Sequence, residues 1–500
     1  MDSGEREGGT GWTRGQLLRG AAGMGAGAVL GGTGYGVSRL VQGGDRAEAA
    51  ASAGRAPSTA RTVRSFVSRP DLQPPRVDVL TRTDDVAPGY LFLAPSSGPG
   101  QRGVLVLDDG GDVVWFHPTE PRTAMNFRAA LFKGQPVLTW WEGKSEHGLA
   151  VGECVIVDQS YREIARFGAG NGRPVDLHEL LITSSDTALV ASYEVETVDL
   201  RGFGGKRRHP VIGRIVQELR IPSSRVLFEW HSLDHVAPAE SHQAVGPRFD
   251  YFHLNAIDVD ADGNLLVSAR NTSAVYKIDR RTGRVIWRLG GKKSDFAMGR
   301  GTFFAWQHDA RSHEGGRLIT IFDNGAAPRV EPQSRAIALS IDTRSMRATL
   351  EQARTHSPVL QARKTGSAQL LPNGDTLVGW GSEPYFTEYA ASGDVVFDAR
   401  LPHGGQTYRA LRFPWIGRPS RPPTVVSAGG MLHASWNGAT DVAAWRLLAG
   451  TQPDRLDDAG TVQRQGFETA LTPPAGARHA AVVALDGGGR PRGTSPTVEI

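Results

Sequence analysis

Three histidines open stretches of similar pattern: His178 in DLHELLI, His253 in YFHLNAI and His308 in AWQHDAR. An imidazole titrates near neutrality, so it can serve as nucleophile, as general base or, once protonated, as acid. Taken singly, each is more often a structural histidine; their equivalent placement in successive repeats argues for a shared site. Asn255 follows His253 by two residues, on the same face of an extended strand. Arg270 ends LLVSAR, which follows the next turn and runs antiparallel, returning the side chain toward His253 and Asn255. A guanidinium there can clamp a tetrahedral oxyanion through two parallel hydrogen bonds. The competing reading of Arg270 is a surface ion pair with a nearby aspartate.

Other stretches with chemical residue types read as structural. DVDADG (258–263) imitates the start of a calcium loop, but its twelfth position is Ala269, and a hairpin turn accounts for it. His231 and His235 have metal spacing only on a helix, and the surrounding prolines favour a loop. Asp309 neighbours His308, but adjacent strand residues point to opposite faces, so it is not expected to orient that imidazole. GGKRRHP (204–210) reads as a solvated basic insertion. No metal site is therefore expected, and no phosphate-cradling loop or nucleic-acid motif appears, so neither nucleotide nor nucleic acid is an expected partner.

The elements that must position the histidines are short strands. Tyr251–Gly291 holds four of them, AIDVDA, LLVSAR, AVYKID and VIWRLGG, separated by tight turns, which is the pattern of one propeller blade. The pattern recurs at 89–117, 128–168, 178–231, 307–352 and 367–401. The expected fold class is all-β: a six-bladed β-propeller over 76–416, followed by a fibronectin type III-like β-sandwich over 424–500, with Trp436 and Trp445 as core candidates. The first repeat lacks an innermost strand, and TYRALRFPW (407–415) has the alternation to supply it. Innermost strands line a central channel, so the histidines that open them would converge there.

Composition sets the outer bounds. The 62 glycines and 30 prolines in 500 residues suit a turn-rich β protein. A net charge of +4 is small for this length and excludes a strongly polyanionic partner as the main reading. A single cysteine, Cys154, leaves no internal disulfide and no cysteine zinc cluster, and its run CVIVD predicts a buried strand position. Residues 1–46 read as an export signal or N-terminal anchor: Arg14 and Arg19 precede a Gly/Ala-rich run, and TRGQLLR is near a twin-arginine consensus, with Gly15 in place of the second arginine. The expectation is an exported protein, secreted or tethered to the membrane by this segment, with 47–75 as a linker. The sequence sets no oligomeric state.

The inward His-x-Asn, the SAR strand, the hairpin VYKIDRRTGRVIWRLGG and the downstream WQHD resemble the bacterial arylsulfate sulfotransferase family, and within it the actinobacterial branch, over roughly residues 75–415. The resemblance implies transfer of a sulfuryl group from an aryl sulfate ester to a phenol, with no cofactor and no nucleotide donor, by a ping-pong route through a sulfohistidine. It implies that His308 accepts the group, that His253, Asn255 and Arg270 hold the sulfate oxygens, and that His178 assists proton transfer or anion binding. Two other readings stand beside it. One is a non-catalytic exported propeller that binds a ligand or cell-wall glycan. The other is a quinone-dependent propeller dehydrogenase, suggested by IDRRTGRVIW.

Overall fold

The computed structural model describes residues 62–146 and 149–500. The export segment and the first part of the expected linker lie outside them. No helix among the described residues is long and apolar enough to cross a membrane.

The chain is all-β. Leu254–Val259, Leu265–Ala269, Ala274–Ile278 and Val285–Gly290 form a four-stranded antiparallel sheet in chain order. Its first turn is DADG: the Gly263 amide donates to the Asp260 carbonyl at 2.9 Å, and Gly263 takes a φ of 83°, a value glycine adopts at no steric cost. Lys277 caps the turn, its ammonium pairing with both Asp260 and Asp262 of the calcium-like motif. Alternate residues of this sheet enter different cores. Leu265, Val267 and Ala269 pack with Trp230 and Tyr251, whereas Leu266 and Val275 pack with Ile319 and Ile337 of a later sheet. Both faces are thus buried, which explains why the strands read as nearly unbroken apolar runs.

Four further sheets surround it. Thr123–Phe132, Gln135–Glu146, Leu149–Val157 and Glu163–Phe167 pair in order, as do Val175–Ile182, Thr187–Val198, His209–Arg220 and Arg225–His231; a single bridge, Gly152 to Val175, joins these two sets into one eight-stranded sheet. His308–His313, Leu318–Asp323, Arg335–Asp342 and Arg347–Arg354 make another sheet. Ser367–Leu370, Thr376–Gly379, Tyr385–Tyr389 and Val395–Arg400 make the next, with Asp78–Arg82 added at its outer edge. In the last, Tyr90–Ser97, Gly103–Leu107 and Val113–Pro118 receive Gln406–Phe413 as their innermost strand, so the end of the repeat region returns to its start. Each innermost strand packs beside the next in this succession, and Ser367–Leu370 packs beside Gln406–Phe413. Cys154 is fully buried in Leu149–Val157.

The C-terminal residues form two sheets: Thr424–Ala428, Met431–Ser435 and Glu468–Leu471 in one, and Ala444–Gln452, Arg455–Gln463, His479–Leu485, Pro491–Thr494 and Val498–Glu499 in the other. They share a core of Leu432, Trp445, Leu471 and Val482, with Trp436 half-buried at its margin. Polar and aromatic contacts fix this unit to the larger one. Asn437 bonds the backbone of Phe116 through both amide atoms, at 2.9 and 3.0 Å. The Tyr161 hydroxyl donates to the Gly438 carbonyl at 2.7 Å, and the Phe66 and Phe467 rings lie 4.1 Å apart.

Candidate active site

His178 lies in Val175–Ile182, and Asp176, two residues before it, projects from the same face. The Asp176 carboxylate accepts the backbone amide of His178 at 3.0 Å and faces its Nδ1. His253 is built the same way one sheet further on. Its Nδ1 lies 2.6 Å from the Asp250 carboxylate, which also accepts its backbone amide at 3.2 Å. The two imidazoles meet edge to face, ring centres 4.8 Å apart. Between the carboxylates stands Arg214, fully buried, with Nη1 on Asp176 at 2.9 Å and Nε on Asp250 at 3.2 Å. Burial alone would raise both carboxyl groups. The Arg214 guanidinium and the hydrogen bonds from the neighbouring histidines outweigh it, holding Asp176 at about 2 and Asp250 well below the usual carboxylate range.

His308 opens its strand and is buried. Its Nδ1 faces the side-chain oxygen of Asn324 at 2.7 Å, and its Nε2 accepts the Thr365 backbone amide at 3.2 Å. Asn324 is itself fixed, donating to the carbonyls of Ala362 and Thr365. These partners select the tautomer with hydrogen on Nδ1 and the lone pair on Nε2. Burial pushes His308 well below the ordinary histidine range, with the cation of Arg270 second, and burial brings His253 to about 4 against the pull of Asp250. Both are neutral at neutral pH.

Arg270 bonds the Asn271 side chain at 2.9 Å and the Arg363 carbonyl at 3.3 Å, and its guanidinium sits 5.1 Å from the centre of the Trp306 ring. No carboxylate lies within ion-pair distance of it among the described residues, so the surface ion pair weighed from sequence is not formed. Asn255 is buried; its amide nitrogen donates to the Gln307 carbonyl at 2.6 Å and its oxygen has no partner among the described residues. Tyr408, from the returning strand, lies under the group: its hydroxyl reaches the carbonyls of Asn255 (3.1 Å) and His178 (3.3 Å), and its ring is 5.9 Å from His178 and 6.4 Å from His308. The backbone is strained at the same place. His253, Trp306, Asp309 and Thr365 take φ values of 53–59°, in the left-handed region, which costs each about 1–3 kcal/mol.

Next to Tyr408, Arg409 bonds both oxygens of Glu179 at 2.9 and 3.0 Å, and Arg311 joins Glu179 (2.6 Å) to Asp309 (2.9 Å). Asp309, Arg311 and Arg409 of this buried ion cluster also line a 520 Å³ cleft. Asp309 therefore serves the cluster and not His308, as strand alternation requires. A larger cleft of 820 Å³ runs between Trp115, His117 and Tyr161 and the C-terminal unit. Neither cleft is lined by His178, His253 or His308. For a metal, Glu194, Glu196 and His231 come within 4.8 Å of one another, but His231 already faces Glu194 and Glu229 through its two ring nitrogens.

The structure thus brings His178, His253, His308, Asn255 and Arg270 to one place. Asp176, Asp250, Arg214, Asn324, Thr365 and Tyr408 contact this group and are not singled out by the sequence. Asp176 and Asp250 carry a readable signal, an acidic residue two or three positions before a histidine. The others come from distant strands and leave no local trace.

A profile described as arylsulfotransferase (ASST) matches residues 128–401, more than half of the chain. No curated protein matches the sequence. Among solved structures, a protein of unknown function from Bacteroides caccae is 13% identical, with a TM-score of 0.41 over 65% of this chain and 98% of that one. A streptogramin B lyase is 9% identical (TM-score 0.34, 72% and 93% covered). A catalytically inactive virginiamycin B lyase from Staphylococcus aureus, solved with quinupristin, is 8% identical (TM-score 0.33, 72% and 96% covered).

Proposed function

We propose that this chain, which belongs to the arylsulfotransferase family, moves a sulfuryl group from an aryl sulfate to a phenol by way of a sulfated His308. Residues 76–416 are read as a six-bladed propeller, supported by the succession of neighbouring innermost strands and by the return of Gln406–Phe413 to Tyr90–Ser97. Residues 424–500 are read as a fibronectin type III-like sandwich, and the N-terminal segment as the means of export.

One observation carries the chemistry: Arg270, with no carboxylate within ion-pair distance among the described residues, lies over the ring of Trp306, two residues before His308. A sulfate ester bound against Arg270 would present sulfur to the Nε2 lone pair. The Nε2–S bond forms as the S–O bond to the aryl group breaks, and the electron pair of that bond leaves on the phenoxide oxygen. Negative charge persists on the sulfuryl oxygens, where Arg270, the Thr365 amide now displaced from Nε2, and the second amide hydrogen of Asn255 can donate. The Nδ1–H anchored on Asn324 lets the ring carry positive charge while sulfated. In the second half the acceptor phenol gives its proton to the Nε2 of His253 or His178, each backed by an aspartate, and its oxygen attacks sulfur. The phenoxide of the first half departs as the anion, and the imidazolium formed in the second half gives its proton to solvent before the next turnover.

The test is release of nitrophenol from 4-nitrophenyl sulfate in the presence of phenol, compared between wild type and His308→Ala. Loss of turnover by at least about a thousandfold supports the assignment. Retained turnover in that variant refutes the nucleophile. A quinone visible by absorbance in the purified protein would replace this reading with a dehydrogenase.

A further inference from the structure

Two aspartate–histidine pairs in this site do not stand alone: one guanidinium joins them. Arg214 comes from the middle of His209–Arg220, donates to Asp176 with one terminal nitrogen and to Asp250 with the other and with Nε, and is 1% exposed. Each carboxylate in turn holds Nδ1 of one imidazole. The order is His178, Asp176, Arg214, Asp250, His253, and the two ends of this relay meet at 4.8 Å. Neither Nε2 has a hydrogen-bond partner among the described residues, so the relay leaves two matched acceptor nitrogens side by side. A buried ion network is a weak device for stability alone, since apolar side chains of the same volume serve as well. This one ends on the reacting groups.

We infer that Arg214 is a positioning residue that sets His178 and His253 as a matched pair, sharing one charge between their two aspartates so that neither imidazole is drawn into its protonated form. The inference rests on the transfer chemistry proposed above. Without the shared cation, two buried carboxylates would each favour an imidazolium beside them. The relay therefore keeps both Nε2 atoms able to take a proton, while still offering the charge support that a transient imidazolium needs. The groups that face the pair are Asp176, Asp250 and Arg214 within the relay, His308 and Arg270 across the site, and the ring and hydroxyl of Tyr408 below. Among the described residues, only the relay contributes anionic groups in direct contact with the two rings.

Arg214→Met keeps the volume and removes the charge; Arg214→Lys keeps the charge but cannot span both carboxylates. With histidine rings labelled at Cε1, titration by NMR is expected to show the His253 signal moving up by about one pH unit or more in Arg214→Met, with a smaller move in Arg214→Lys. In kinetics, kcat falls about a hundredfold in Arg214→Met and the acid limb of kcat/KM moves toward neutral pH, while KM for 4-nitrophenyl sulfate changes less than about threefold. Asp250→Asn moves the same limb the other way. Histidine titrations and acid limbs that stay put in every soluble variant, with only Tm lowered, would show that Arg214 is merely structural. If Arg214→Met does not fold, Arg214→Lys and Asp250→Asn decide by the same readouts. If the wild type turns over no aryl sulfate, the proposed function fails, and the NMR titration still decides the role of Arg214.

Discussion

A histidine that attacks sulfur must be neutral, and His308 is kept neutral by burial, by the nearby Arg270 and by fixed partners on both ring nitrogens. His253, held at about 4, is neutral over the same range. The expected pH profile follows: kcat/KM for 4-nitrophenyl sulfate holds steady from neutral pH to about 6 and falls only as the depressed histidines protonate below about 5. A limb centred near the ordinary histidine value would contradict the buried, neutral state of these rings. On the proposed role of Arg270, Arg270→Met lowers kcat/KM by about a hundredfold or more, with KM raised, and Arg270→Lys restores part of it. The histidines were legible because they stand at matching places in repeats, and Arg270 because it ends the strand antiparallel to that of His253. Arg214, Asn324 and Tyr408 were not, because their contacts depend on which distant segments pack against the histidines.

At the scale of the element, the strand copies were legible from period-2 alternation and turn residues, and the returning strand Gln406–Phe413 was legible from what the first repeat lacked. The chain spacing did not show how tightly innermost strands of neighbouring sheets approach. At Gly379 a Cβ would meet the Ser367 Oγ at 2.6 Å and the Ala410 amide nitrogen at 2.7 Å, where the last sheet abuts the returning strand. Gly379→Val is expected to destabilise the protein by about 1–3 kcal/mol or more in urea unfolding, and to lower kcat because Tyr408 moves with its strand. An unchanged unfolding midpoint would mean that these strands do not meet as described. The left-handed backbone at His253 and Asp309 was invisible in sequence, since neither residue type announces it.

For the whole molecule, burial of neutral imidazoles links stability to pH. His253 has a folded value near 4, below the ordinary 6.5 or so of an unfolded histidine, so the unfolded chain binds more protons between those values. Stability therefore falls as pH drops from about 6.5 to 4, by on the order of 2–3 kcal/mol for His253. Asp176, held at about 2, weakens the fold only below about pH 4. Urea unfolding at pH 7 and 4.5 checks the difference, and His253→Gln should shrink it. The linker expected over 47–75 is, in its described part, bound to both units: Arg64 pairs with Asp112 at 2.9 Å, and the Ser68 amide and hydroxyl bond Glu468. The central claim, that His308 carries the sulfuryl group, is tested most directly by mass spectrometry of protein held with 4-nitrophenyl sulfate and no acceptor. The account predicts an acid-labile gain of one SO3 on the peptide containing His308, absent from His308→Ala and discharged by phenol. Nitrophenol release with no adduct, or an adduct on another residue, would contradict it.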